Sequence, residues 1–234
     1  MDLNVVTLPS LQRTTHAVIS TAKKPAMSTR ESKKKQTRQA LMNAALELVG
    51  RGDNFASISL REVAKNAGVV PTSFYRHFET MEDLGLSLVD ELGMMLRRLM
   101  RSARQAGQSL NDQIKASVEV YVQHVLDNRN LFLFMVQCRS GGTPALRDAI
   151  RNELRYFVNE LVVDINRADF LPNVSHEDLE MIVSLIINTV AETTLDILDL
   201  PTASRSQRAR IEALTVKQIR LIFLGALAWR SLKP

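Results

Sequence analysis

The chain has 234 residues, 45% of them hydrophobic and 5% aromatic, with nine Gly, seven Pro and a net charge of +5. That length and apolar share allow a sizeable core, in one larger domain or in a small domain joined to a bigger one. Low Gly and Pro counts and the absence of sustained period-two alternation argue against a β architecture, so the chain reads as all-α. One cysteine, Cys138, excludes an intramolecular disulfide framework and fits a reducing compartment. No uninterrupted apolar span approaches the roughly 20 residues of a membrane helix, and the N-terminus lacks a signal peptide's apolar core. A cytoplasmic protein without a membrane partner is expected.

Residues 1–32 read as a disordered basic arm. Residues 1–36 hold Arg13, Lys23, Lys24, Arg30, Lys33, Lys34 and Lys35 against Asp2 and Glu31, a surplus equal to the net charge of the whole chain. Such an arm in front of a DNA-binding unit adds salt-dependent affinity for phosphates. Met27 is an expected true start, with the first 26 residues an over-long gene reading; an intact mass retaining Asp2 would contradict this. From about Lys33 to Arg51 the apolar stripe Leu41, Ala44, Ala45, Leu48 and Val49 predicts a helix, with Gly50 and Gly52 near its end. Phe55 and Ile58 then plug a small three-helix core.

Ser59 to Phe78 predicts two short helices joined by a tight turn. Ser59 caps the first, and Glu62 reaches back to the cap's own N–H. Leu60, Val63, Ala64 and Ala67 make one apolar face. Gly68 supplies the positive φ of the reversal, and Pro71 suits the first turn of the next helix. Phe74 and Phe78 bury together, which turns Thr72, Ser73, Tyr75, Arg76 and His77 outward. A helix with that polar, compact face fits the major groove, its hydroxyls at base edges and its Tyr, Arg and His on phosphates.

Thr80 opens a long helix, with Asp83 completing a second capping box, continued by Leu84, Leu88, Leu92, Met95 and Leu99 to about Ala106. Leu110 to Asn128 predicts another helix, and the apolar run Leu131 to Val136 a short buried one. Gly141, Gly142, Thr143 and Pro144 break the chain and cap a helix through Leu146, Ile150, Leu154, Phe157, Leu161 and Ile165, with Arg147, Arg151 and Arg155 on its solvated side. Residues 166–174 form a loop. Ser175 with Asp178 starts a helix to about Leu200, and a last helix spans roughly Gln207 to Leu232.

The run P-T-S-F-Y-R-H-F after A-G-V-V, behind an amphipathic first helix, resembles the DNA-binding domain of the TetR family. More narrowly, F-A-S-I-S-L-R-E-V-A-K-N-A-G-V-V-P-T-S-F-Y-R-H-F, then D-L-G-L-S-L-V-D-E-L-G-M-M-L-R-R-L-M-R, then R-S-G-G-T-P-A-L-R, is similar to that family's repressors of unsaturated fatty acid and desaturase genes. The likeness runs from about Lys34 to the C-terminal helix, strongest before Arg104 and thinner after Glu160. It implies a helix-turn-helix domain over 33–79 and a helical regulatory and dimerisation domain over 80–234. It also implies a homodimer, built on the two C-terminal helices, that reads palindromic double-stranded DNA. Thr37 matches a position that often touches a DNA phosphate in the family. The expected DNA-binding residues are Thr37, Ser59, Arg61, Pro71, Thr72, Ser73, Tyr75, Arg76 and His77. The lysine that the family commonly carries near the start of the fourth helix is absent, so no phosphate contact is expected there.

His16, His77, His124 and His176 are scattered, and no nucleophile, metal or phosphate-loop motif is present, so no enzyme is expected. No cofactor or metal is expected; the effector implied by the resemblance is a long-chain acyl thioester, on coenzyme A or acyl carrier protein. Met94, Met95, Met100, Met135 and Met181 are soft side chains able to line an apolar cavity. The expected pocket residues are Met95, Leu99, Arg139, Asn188 and Glu192. Asn188, Glu192 and Asp196 form a polar seam that should face a pocket, a dimer mate or water. Arg139 reads as the only cation beside the Leu131–Val136 run, there to engage the thioester or phosphates, or to pair with Glu192. An aromatic or cationic effector, as in the family's efflux regulators, is the alternative; a ligand-free architectural DNA binder is the third reading.

Overall fold

The computed structural model describes residues 29–103, 109–201 and 204–231. The 1–26 arm, Met27, Ala106 and Leu232 lie outside the described residues. Among those described, nine α-helices follow in order: α1 Thr29–Gly50, α2 Leu60–Asn66, α3 Pro71–Phe74, α4 Met81–Ala103, α5 Leu110–Asp127, α6 Arg129–Gly141, α7 Pro144–Arg167, α8 His176–Leu198 and α9 Arg205–Ala228. A 3-10 turn, Phe55–Ser57, precedes α2. The all-α expectation stands.

α1, α2 and α3 form a small head around Leu41, Ala45, Val49, Val63, Phe74 and Phe78, all buried. The Phe74 and Phe78 rings lie 5.7 Å apart and almost wholly out of water, each contributing on the order of 1.5–3 kcal/mol. α1 also packs on α6, and α4 runs from the head into a body made with α5 to α9. In the body Val122, Phe132, Phe134, Leu146, Leu179 and Val183 meet in one core continuous with that of the head.

Local signals set most boundaries. Ser109, Thr143 and Ser175 each accept the N–H three residues on, from Asp112, Leu146 and Asp178. Thr80 caps α4 through the Asp83 N–H, but the Asp83 carboxylate accepts from the N–H of Glu79 rather than of Thr80, so the expected reciprocal box does not close. α1 begins four residues before Lys33. α9 stops at Ala228, short of Leu232: Trp229 turns to extended backbone, and the Ser231 hydroxyl accepts from the Ser175 N–H at 2.7 Å. By length and composition α8 alone among the described residues matches a membrane span, which a search for unbroken apolar runs passes over because Glu192 and Asp196 interrupt it. Here Ile182, Val183, Ile186 and Ile197 of α8 are core.

Candidate nucleic-acid interface and regulatory body

The reading unit is built by the residues that predicted it. Glu62 accepts the Ser59 N–H at 2.8 Å, and the Ser59 hydroxyl takes the Glu62 N–H at 3.3 Å. The Ser59 N–H, and then the Ser59 hydroxyl, donating to the carboxylate hold the Glu62 carboxyl below its ordinary value. Gly68 has φ +68°, and the Val69 N–H returns to the Ala64 carbonyl at 2.9 Å, closing the reversal. Pro71 is the first residue of α3. The helix is a single turn, continued by tighter turns in which His77 and Phe78 donate to the Phe74 carbonyl at 2.9 and 3.0 Å.

Pro71, Thr72, Tyr75 and Arg76 are exposed on one side of this element, with Ser73 half-buried beside them, and Arg61 is exposed on α2. Three of the expected contact residues have side chains engaged or partly covered within the head. The Ser59 hydroxyl is committed to its cap and to a 2.7 Å bond to Glu62. The Thr37 hydroxyl donates to the Lys33 carbonyl at 3.0 Å. His77 is only partly outward: it is half-buried, with Nδ1 enclosed and without a hydrogen-bond partner. Burial first, then the positive charges of Lys34, Arg38 and Arg76, hold its imidazole below the ordinary value.

Lys34 and Arg38 were not among the sequence candidates. With Arg76 they surround His77 in a field of one sign, the arrangement that attracts a phosphate. Arg38 is also fixed in place, 2.8 Å from the Ser87 hydroxyl on α4 and 4.8 Å over the Phe78 ring. The spacing of Lys34 and Arg38, one helical turn apart beside Thr37, is the signal in the sequence that carries them.

Between head and body, a groove of about 440 Å³ runs between α1, α4 and the start of α6, with Met42, Met94, Met95 and Leu131 as its apolar lining and Arg38, Asp90, Glu91 and Arg98 as its charges. Of the expected pocket residues only Met95 lines it. Leu99 is buried in the body. Arg139 pairs with Glu192 at 3.3 Å, one of its two expected roles, and Glu192 is mostly exposed. Asn188, Glu192 and Asp196 all lie on the outward side of α8. The five residues do not gather around one cavity, because the rotation of α8 turns the polar seam away from the core. Nor is Arg139 the only cation beside Leu131–Val136: Arg129 flanks it on the other side and donates to the Leu198 carbonyl. Met135 is core, whereas Met181 is exposed. Burial pushes the Cys138 thiol up to about 12, leaving it a neutral core side chain. No group of His, Cys, Asp and Glu among the described residues has the geometry to hold a metal.

Residues 41–88 match the family model for bacterial regulatory proteins of the tetR family, and residues 110–225 that for the tetracyclin repressor-like C-terminal domain. Together these matches span more than two thirds of the chain. Among solved structures the fold is similar to the fatty acid degradation regulator FadR from Bacillus halodurans, at 19% identity and TM-score 0.63, over 81% of this chain and 95% of that one. It is similar also to FadR from Bacillus subtilis in complex with stearoyl-CoA, at 18% identity and TM-score 0.60, over 80% and 98% of the two chains. Salmonella enterica GusR aligns at 19% identity and TM-score 0.63, over 83% and 96%. At these identities the likeness to solved structures is one of fold. The chain belongs to the TetR family of transcriptional regulators, DNA-binding proteins that are not enzymes.

Proposed function

We propose that this regulator represses genes of unsaturated fatty acid synthesis, its operator affinity modulated by long-chain acyl thioesters. The observation that carries the DNA half is the exposed row Thr72, Tyr75 and Arg76 beside the cationic cluster of Lys34, Arg38 and Arg76. Hydroxyls and a guanidinium in that order suit base edges next to a phosphate. The acyl half is supported by the sequence resemblance to FabR and DesT, repressors of unsaturated fatty acid and desaturase genes. Two structures of similar fold are also fatty acid regulators, one of them holding stearoyl-CoA.

The reading includes a homodimer. Leu185 and Leu195 on α8, and Leu214, Leu221, Leu224 and Leu227 on α9, are large apolar side chains left exposed by the single chain. α8 carries Glu177, Asp178, Glu180, Glu192 and Asp196 with no Lys or Arg, whereas α9 carries Arg205, Arg208, Arg210, Lys217 and Arg220 with one acid, Glu212. Packing α8 of one protomer against α9 of its partner pairs opposite charges around the apolar strip. A ligand then shifts DNA binding only by favouring one arrangement of the two heads over another, and a tilt of α4 is one route to it.

A cationic or aromatic effector is the second reading, favoured by Asp90 and Glu91 beside Met94 and Met95 in the 440 Å³ groove. Fluorescence anisotropy on duplexes from promoters of unsaturated fatty acid synthesis genes, with oleoyl-CoA and palmitoyl-CoA, tests the proposal. Affinity moving in opposite senses with the two chains supports it; tight binding indifferent to both leaves the repressor and removes the acyl effector.

A further inference from the structure

The segment joining α1 to α2 is held by α6. The Gln137 side-chain amide presents both of its ends to it: Nε2 donates to the Asp53 carbonyl at 3.2 Å, and Oε1 accepts the Phe55 N–H at 3.0 Å. The Phe55 ring then enters the body, edge-on to Phe134 with centroids 4.7 Å apart. Gly85 of α4 makes the space, since a Cβ there would lie 3.0 Å from the Phe55 ring and 2.9 Å from Leu146. One end of α6 thus clasps the Asp53–Phe55 turn. Near the other end Asn130 fills the space beside Gly50, the last residue of α1. The same helix reaches α8 through Arg129 to the Leu198 carbonyl and through Arg139 to Glu192.

We infer that Gln137 is a positioning residue for DNA binding: its paired hydrogen bonds fix the orientation of the reading head on α6, and with it the separation of the two heads in the dimer. This rests on the DNA-binding reading above. The chain passes from head to body once, at Phe78–Met81, so the angle between them is set by the contacts across the seam: α1 on α6, Arg38 on Ser87, and the Phe55 turn. Apolar packing there is non-directional; the planar amide adds direction, and it needs a donor and an acceptor together, which among the side chains of this shape only an amide supplies. The bond to the Asp53 carbonyl is exposed and the bond from the Phe55 N–H is partly buried, so water takes over the first when the amide is removed and reaches the edge of the second. The cost then falls on orientation more than on folding.

The test uses the palindrome that the full chain selects from random duplexes, a duplex with one half-site, and palindromes with the half-sites moved by one base pair. Gln137→Ala removes the amide, and Gln137→Met keeps its length without its hydrogen bonds. Both variants are expected to bind the palindrome about tenfold more weakly, to bind the single half-site as the wild type does, and to discriminate less between half-site spacings. Their thermal midpoints should stay close to that of the wild type. Unchanged palindrome affinity, equal weakening on the half-site, or wild-type behaviour of Gln137→Met would each overturn the inference. Failure of the wild type to select any palindrome would instead overturn the DNA-binding reading, and the role of Gln137 with it.

Discussion

The Arg97 guanidinium on α4 lies 2.5 Å from the Glu153 carboxylate on α7, and both side chains are mostly buried. The carboxylate occupies a notch on α4 left by the missing side chain of Gly93, where a Cβ would overlap it. Two effects therefore compete at Gly93. An Ala in mid-helix gains about 0.5–1 kcal/mol over Gly, but here it expels Glu153 from a charge-assisted bond of about 1.5–3 kcal/mol. Gly93→Ala is expected to destabilise the protein and, in a Glu153→Ala background, to stabilise it. Denaturant melts of the four proteins measure the change of sign; Gly93→Ala stabilising in both backgrounds would show that the notch does not matter.

His77 gives a pH dependence whose sign follows from its surroundings. Its folded-state value is lowered, by burial and then by Lys34, Arg38 and Arg76. The unfolded chain therefore takes up the proton first as pH falls. The stability tied to the neutral imidazole is present above the unfolded value of about 6.5 and is lost as pH falls through the lower folded value. A DNA phosphate beside the cluster would favour the imidazolium, so operator affinity should rise over the same descent in pH that weakens the free protein. His77→Gln is expected to flatten both trends, read by thermal melts and by anisotropy between pH 7.5 and 5.5.

The exposed strip on α9 predicts how the dimer fails. Leu221 is 69% exposed and Leu224 64% exposed in the single chain, so a charge at either is tolerated by the fold. Leu221→Glu with Leu224→Glu should give a helical monomer by sedimentation, with palindrome binding weakened by well over tenfold, because the two half-sites no longer act together. A variant that remains a dimer would place the interface elsewhere.

The head was legible in the sequence because its determinants are local. Ser59 and Glu62, Gly68, and the Phe74 and Phe78 pair each act within a few residues, and their backbone geometry follows from residue type. The surroundings of His77 were not legible, because the charges that act on it, Lys34 and Arg38, come from α1 some forty residues away. The direction of the polar seam was open for a similar reason: Asn188, Glu192 and Asp196 mark one face of α8, but packing against α5, α7 and α9 decides which way that face turns. The Gln137 clasp joins residues more than eighty apart, and a lone glutamine in an apolar helix carries no pattern that announces it.

The most direct test of the account is selection of binding sites by the full chain from a pool of random duplexes, followed by the same selection with a Thr72→Ala, Tyr75→Ala double variant. The account predicts one enriched palindrome for the wild type, half-sites spaced to a two-fold dimer, and loss of that enrichment in the variant while its fold and dimer persist. A variant that enriches the same palindrome as strongly would contradict the placing of the reading surface on Pro71–Phe78.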